Sequence, residues 1–160
     1  MCDYIYLDGN YSGDTRWNAS TNMLSWTIDP RRLRHKKENQ KIFVSVQQIT
    51  FVGVKTGGAT TAGSFVSELV TNLNLKDCYN TYGNNSDFGR YNVLMMCDIY
   101  YNGAVMISSN TSNNNNNIKF EVDIFDNIQL GVSYLNEYVD FSGDVEHFKC
   151  LLKFEYEDIN

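Results

Sequence analysis

The chain has 160 residues, of which 42 % are hydrophobic and 14 % aromatic, and it carries a formal net charge of -6 with an isoelectric point near 4.8. That length fills one core and is too short for two ordinary domains, while the acidic balance excludes a nucleic-acid binder that works through a broad basic surface. No apolar run approaches the roughly 20 residues that span a bilayer, and Met1-Cys2-Asp3-Tyr4 has neither the basic nor the apolar region of a secretory signal, so a soluble, cytosolic product is expected.

In chain order, Tyr4-Ile5-Tyr6-Leu7 is a short β-type run stopped by Asp8-Gly9-Asn10, and a polar stretch follows up to Thr21. Residues 1–22 therefore read as an N-terminal arm or extra strand, and residues 23–160 as the domain proper. Leu24, Trp26 and Ile28 share one face of a strand over 23–28, which Asp29 and the only proline, Pro30, terminate. Next comes the only basic cluster, Arg31-Arg32-Leu33-Arg34-His35-Lys36-Lys37. It reads either as a solvated loop or as a contact for an acidic subunit surface or nucleic acid, because such a patch attracts at long range; a nuclear localisation signal would look the same.

A long strand over 41–54 slips in phase: Ile42, Val44 and Val46 share one parity, Ile49 and Phe51 the other, with Gln47-Gln48 at the change. A bulge there restores one apolar face. After a glycine- and threonine-rich loop, Phe65, Leu69, Leu73 and Leu75 mark a strand over 65–75. Residues 76–90 form a polar loop in which Tyr79, Tyr82 and Phe88, with Tyr91 beyond it, are candidates for stacking on a sugar or anchoring an interface. The same rings equally serve to pin a long loop over the end of a sandwich.

Tyr91, Val93, Met95, Cys97 and Ile99 alternate in the strand 91–101. Asn102-Gly103 is a strong hairpin signal, since a type I′ turn needs positive φ at both central residues, and 104–108 is the returning strand. Beyond an Asn-rich segment, Phe120, Val122 and Ile124 point one way in the strand 118–125; Ile128, Leu130, Val132 and Tyr134 do so in 128–135; Phe148, Cys150, Leu152, Phe154 and Tyr156 do so in 147–156. A period of two with one apolar face marks antiparallel sheets with one wet side. Asp126-Asn127 is either a corner between sheets or a plain hairpin.

The expected fold is all-β, a single eight-stranded antiparallel jelly-roll sandwich with a short N-terminal extended arm. Taking 23–28 as the first jelly-roll strand brings the 31–37 loop and the acidic loop of Glu137, Asp140, Asp144 and Glu146 to one end of the sandwich. Arg31, Arg32, Arg34, Lys36, Lys37 and those four acids are thus candidate contacts, within a subunit or between neighbours around a symmetry axis. Cys2, Cys78, Cys97 and Cys150 are scattered, without CxxC or close His pairing; Cys97 and Cys150 fall on the inward parity of strands, where a free Cys behaves as a small hydrophobe, and a disulfide or metal role is the lesser alternative. No catalytic, cofactor or metal constellation is present: His35 and His147 lack a third ligand at useful spacing, and no GxSxG or GxxxxGK occurs. The chain is not expected to be an enzyme or to act on a small-molecule substrate.

Several stretches together resemble the single jelly-roll capsid proteins, penton and minor capsid types, of large eukaryotic DNA viruses and virophages. They are Tyr4-Ile5-Tyr6-Leu7-Asp8-Gly9, Leu24-Ser25-Trp26-Thr27-Ile28, Phe43-Val44-Ser45-Val46, Thr71-Asn72-Leu73, Tyr91-Asn92-Val93-Leu94, and Val139-Asp140-Phe141-Ser142-Gly143 leading to Cys150-Leu151-Leu152-Lys153-Phe154-Glu155-Tyr156. The resemblance implies a structural protein found in the virion and assembled in the host cytoplasm, forming pentamers at capsid vertices or taking a minor role among major capsid proteins. Nucleic acid is not an expected partner except through the 31–37 loop. The alternative is a lectin-like or receptor-binding jelly roll that uses the aromatic 76–91 segment.

Overall fold

A computed structural model describes residues 1–9, 15–18, 23–55, 61–76, 92–111, 118–134, 137–141 and 147–159. Its elements are β1 (Cys2–Asp8), β2 (Thr15–Asn18), β3 (Met23–Thr27), a 3-10 turn (Pro30–Arg32), β4 (Gln40–Lys55), β5 (Gly63–Thr71), β6 (Leu75–Lys76), β7 (Asn92–Tyr101), β8 (Val105–Thr111), β9 (Phe120–Val122), β10 (Asn127–Tyr134), β11 (Glu137–Asp140) and β12 (His147–Asp158). Among the described residues there is no α-helix, and so none long and apolar enough to cross a membrane.

The strands fall into two antiparallel sheets. In the first, β1 pairs with β12 and β12 with β4, whose other edge carries β8 at one end and β9 at the other. In the second, β3, β10, β5 and β7 are successive neighbours, and β2 extends the β3 edge. This is the jelly-roll order of two interleaved four-strand sheets. Two seams join them: the start of β8 lies between β7 and β4, with Met106 and Ile107 paired to both, and β11 pairs with both β10 and β4.

All eight segments with alternating patterning are strands, but the first jelly-roll position belongs to β1. Seven residues, Cys2 through Asp8, are in register with β12, with Ile5 and Leu7 buried in the core. The N-terminal segment is thus a sheet strand where it pairs, and β3, β4, β5, β7 and β8 each move one place along the order, while β10 and β12 keep the last two because β8 and β9 share one edge of β4.

The local chemistry explains most of the path. In β4, Val46 lies opposite Leu152 and Gln48 opposite Leu151, so Gln47 is the extra residue of a bulge, and Ile42, Val44, Val46, Ile49 and Phe51 are all buried. Residues 123–126 form a corner between sheets, because β9 pairs with β4 and β6 while β10 pairs with β3 and β5. The inward set changes at that corner. Ile124 is 82 % exposed, and Phe125 instead packs its ring 5.3 Å from that of Phe154.

Asn102-Gly103 also departs from expectation. Only Gly103 has positive φ, at 97°, while the Asn102 side chain accepts hydrogen bonds from the backbone N–H groups of Ala104 and Val105. The turn is an Asx-type corner, not type I′. Its flanking strands share only the pairs Tyr100–Ile107 and Tyr101–Met106 before they diverge, while β8 stays paired with β4 throughout.

Between the sheets, the core centres on Trp26, Phe51, Phe141 and Phe148, with ring centroids 5.3 to 6.3 Å apart in edge-on, tilted and stacked contacts. Each fully buried large apolar side chain contributes about 1.5–3 kcal/mol, so this layer holds the two sheets together. The indole N–H of Trp26 donates to the Asp8 carbonyl at 3.2 Å.

Candidate functional site

The basic loop and the described part of the acidic loop, residues 137–141, lie at opposite ends of the sandwich. Gln40, just after the basic loop, pairs with Asp158, whereas Val54 and Lys55 at the far end of β4 pair with Asp140 and Val139. The 16 residues of β4 separate them, about 50 Å at ~3.3 Å per residue. Placing them at one end was an error of a single strand position, produced by starting the jelly roll at β3. Asp140 therefore has no route to pair with the basic loop within one subunit.

Each basic side chain has its own setting. Arg31 is exposed and forms a fork onto Asp29, with Nε 2.9 Å and Nη2 2.7 Å from Oδ2. Asp29 also accepts from the Arg31 backbone N–H, capping the 3-10 turn, and the Arg31 hydrogen bonds hold its carboxyl down to about 2. Lys36 Nζ donates to the Lys37 carbonyl, and Lys37 N–H donates to Gln40 Oε1, itself tied to Asp158 through Nε2. Arg32 and Arg34 are exposed and form no salt bridge within 4 Å among the described residues, although Arg32 helps lower the Asp29 carboxyl through its charge.

Of the predicted acids, Asp140 is half-buried in β11. The backbone of Glu137 pairs with Tyr134; its side chain lies outside the described part. Asp144, Glu146, Tyr79, Tyr82, Phe88 and Tyr91 lie outside the described residues. Cys2, Cys97 and Cys150 are free thiols, and burial pushes the Cys97 thiol up to about 12, so it remains protonated and behaves as a core residue.

A cleft of about 630 Å³ runs between β1 and the basic loop, lined by Asp3, Tyr4, Ile5, Tyr6, Arg32, Arg34 and His35. Its floor is set by Asp3, only 7 % exposed. Asp3 Oδ2 accepts from the His35 N–H at 3.0 Å and from the Tyr156 hydroxyl at 2.6 Å, and Oδ1 lies 2.7 Å from His35 Nδ1. Burial pushes the Asp3 carboxyl up, but the hydrogen bonds from Tyr156 and from the His35 backbone and ring outweigh it, leaving the pKa below its ordinary value. Burial, followed by the bond to Asp3, raises the Tyr156 hydroxyl. With Asp3 ionised, the His35 tautomer that keeps the contact carries its proton on Nδ1.

This latch fastens the basic loop to β1 and β12. Asp3, Tyr4, Tyr6 and Tyr156 were not among the predicted site residues, although one signal was present: in Cys2-Asp3-Tyr4-Ile5-Tyr6-Leu7-Asp8 the acid Asp3 falls on the same parity as Ile5 and Leu7. A carboxylate on an inward parity needs partners.

A second surface feature lies on the outer face of β5, β7 and β8. Val66, Met96, Tyr100 and Ile107 are 53, 61, 50 and 39 % exposed. Tyr100 is directly opposite Ile107, and Val66 is opposite Asp98, between Met96 and Tyr100 on β7. Where β8 diverges, the Asn110 amide takes over strand pairing, donating to the Asp98 carbonyl at 3.2 Å and accepting from its N–H at 3.2 Å. The opening is a groove of about 550 Å³. No family model, no curated protein and no solved structure matches the chain.

Proposed function

We propose that this chain is a structural subunit of a viral shell, of the single jelly-roll capsid kind, assembling with copies of itself. Its place is the virion and its assembly site the host cytoplasm; a pentamer at capsid vertices is the favoured form, and a minor position among major capsid proteins is the next. The observation that carries this reading is the apolar patch of Val66, Met96, Tyr100 and Ile107 on the outer face of a jelly-roll sheet. Strand faces turned to water normally present polar residues, and four large apolar side chains exposed around Asp98 on one face are a candidate interaction surface. A heterologous contact between this face and a different face of the next copy closes into a ring when the rotation permits. The resemblance of the strand and turn segments to capsid proteins supplies the rest of the support.

The test is the oligomeric state of the whole chain by sedimentation velocity. A closed oligomer is expected, with Met96→Glu combined with Tyr100→Glu shifting it to monomer while the melting temperature stays within a few degrees. A strict monomer at all concentrations would overturn the proposal, most directly if it also bound glycans.

A further inference from the structure

We propose that the open edge of β1 accepts an extended acidic peptide segment as an added strand, held by the backbone of Tyr4 and Tyr6 and by the guanidinium groups of Arg32 and Arg34. Three features converge in the cleft between β1 and the basic loop. First, β1 has one sheet neighbour among the described residues, β12. The Gly9 N–H donates to the Phe148 carbonyl at 2.7 Å, just past the pair Asp8–Lys149. In an antiparallel ladder, bonding alternates residue by residue, so Leu7, Ile5 and Asp3 bond toward β12 while the N–H and C=O groups of Tyr6 and Tyr4 face the open side. A row of unpaired strand groups is a template for another strand.

Second, the wall facing that edge is cationic. Arg32 and Arg34 form no salt bridge within 4 Å among the described residues, Arg32 acting on Asp29 only at longer range, and the one acid lining the cleft, Asp3, already receives Tyr156 and both His35 contacts. In a chain of net charge -6, this is a local site for negative charge. Third, the side chains of Tyr4 and Tyr6 stand exposed, at 55 and 57 %, on the face where cross-strand neighbours of an added strand would lie.

Extended backbone places alternate side chains on one side of a strand, about 6.8 Å apart at ~3.4 Å per residue, so carboxylates at alternate positions both reach the arginine wall. A free anion would use the arginines and leave the edge idle; an acidic strand uses both. The site does not depend on the shell reading.

The experiment uses the full chain and a fluorescein-labelled hexapeptide of alternating valine and glutamate, with binding read by anisotropy and amide exchange followed residue by residue. Saturable binding is expected, with slowed exchange at the Tyr4 and Tyr6 amides. Arg32→Glu combined with Arg34→Glu should weaken binding at least tenfold at an unchanged melting temperature, and Lys37→Glu, outside the cleft, should stay within twofold. N-methylation of alternate peptide nitrogens, in the phase that faces β1, should abolish binding. Absence of binding, equal binding of a control hexapeptide of alternating valine and lysine, equal binding of the N-methylated peptide, or unslowed exchange at Tyr4 and Tyr6 would each overturn the proposal. Displacement of the peptide by inorganic phosphate or 3′-sialyllactose at matched ionic strength would also overturn it, by showing a simple anion site.

Discussion

Among the described residues, Asp3 is the only charged side chain in the buried class, and removing any of its partners leaves polar atoms stranded. Tyr156→Phe takes away the 2.6 Å bond and should destabilise the fold by about 1–3 kcal/mol, the usual cost of a buried unsatisfied group, read as a fall in the urea midpoint at an unchanged slope. Asp3→Asn keeps the shape but turns one acceptor into a donor facing His35 or Tyr156, with a similar cost. The latch also has a defined pH signature. The Asp3 pKa lies below its ordinary 3.8 in the folded chain, so on acidification the unfolded chain takes up the proton first. Its stabilisation is complete above about pH 4 and is lost as the pH falls through the folded value. Between about pH 6 and about pH 3 the wild type should therefore lose more stability than Asp3→Asn; equal losses would show that Asp3 is not held ionised by its partners.

At the scale of the element, β4 carries two devices that can be separated. Deleting Gln47 leaves Ile42, Val44, Val46, Ile49 and Phe51 in unbroken alternation, so the chain should keep a cooperative melt. Deleting Thr50 forces a choice between exposing Phe51 and exposing Ile49 with Gln48 turned inward. Either should cost about 2–5 kcal/mol, so the contrast between the two deletions tests whether the bulge exists to reconcile phase. Gly53 answers to a different constraint: an added Cβ would sit 2.1 Å from Val139 Cγ1, 2.9 Å from Phe141 Cε1 and 3.1 Å from the Asp140 carbonyl. Gly53→Ala should cost about 1–3 kcal/mol through overpacking at the β4–β11 seam, measured by thermal melting. Alternation made the bulge and all eight principal strands legible from the residues. It did not reveal which strand came first: Asp3 interrupts the apolar face and only four residues, Tyr4 to Leu7, read as β, so β1 counted as part of an arm or extra strand outside the eight. That one misplaced strand concealed the cleft, whose lining comes from residues 3–6 and from Arg32, Arg34 and His35 and meets only in three dimensions.

For the whole molecule, the position of β1 decides how cooperative the fold is. The bond from Tyr156 to Asp3 spans 153 residues, and β12 lies between β1 and β4, so the two chain ends complete one sheet. A removable arm would leave the sandwich intact. An integral strand would not: losing residues 1–8 exposes the sites of Ile5 and Leu7, at about 1.5–3 kcal/mol each, and strips Tyr156 and His35 of their shared acceptor, at about 1–3 kcal/mol. Together these losses are about 4–9 kcal/mol, against the ~5–15 kcal/mol that keeps a typical domain folded. The chain lacking residues 1–8 should therefore lose its cooperative transition or melt far below the full chain, with near-UV dichroism weakened throughout, including the distant Trp26–Phe148 contact. The full chain should unfold in one step, with a heat-capacity increment of about 2 kcal/mol/K for its length. A truncated chain that still melts cooperatively within a few degrees of the full one would show that β1 merely lies against the sandwich. The edge it presents to the cleft would then be a detachable arm, not the rim of a sheet.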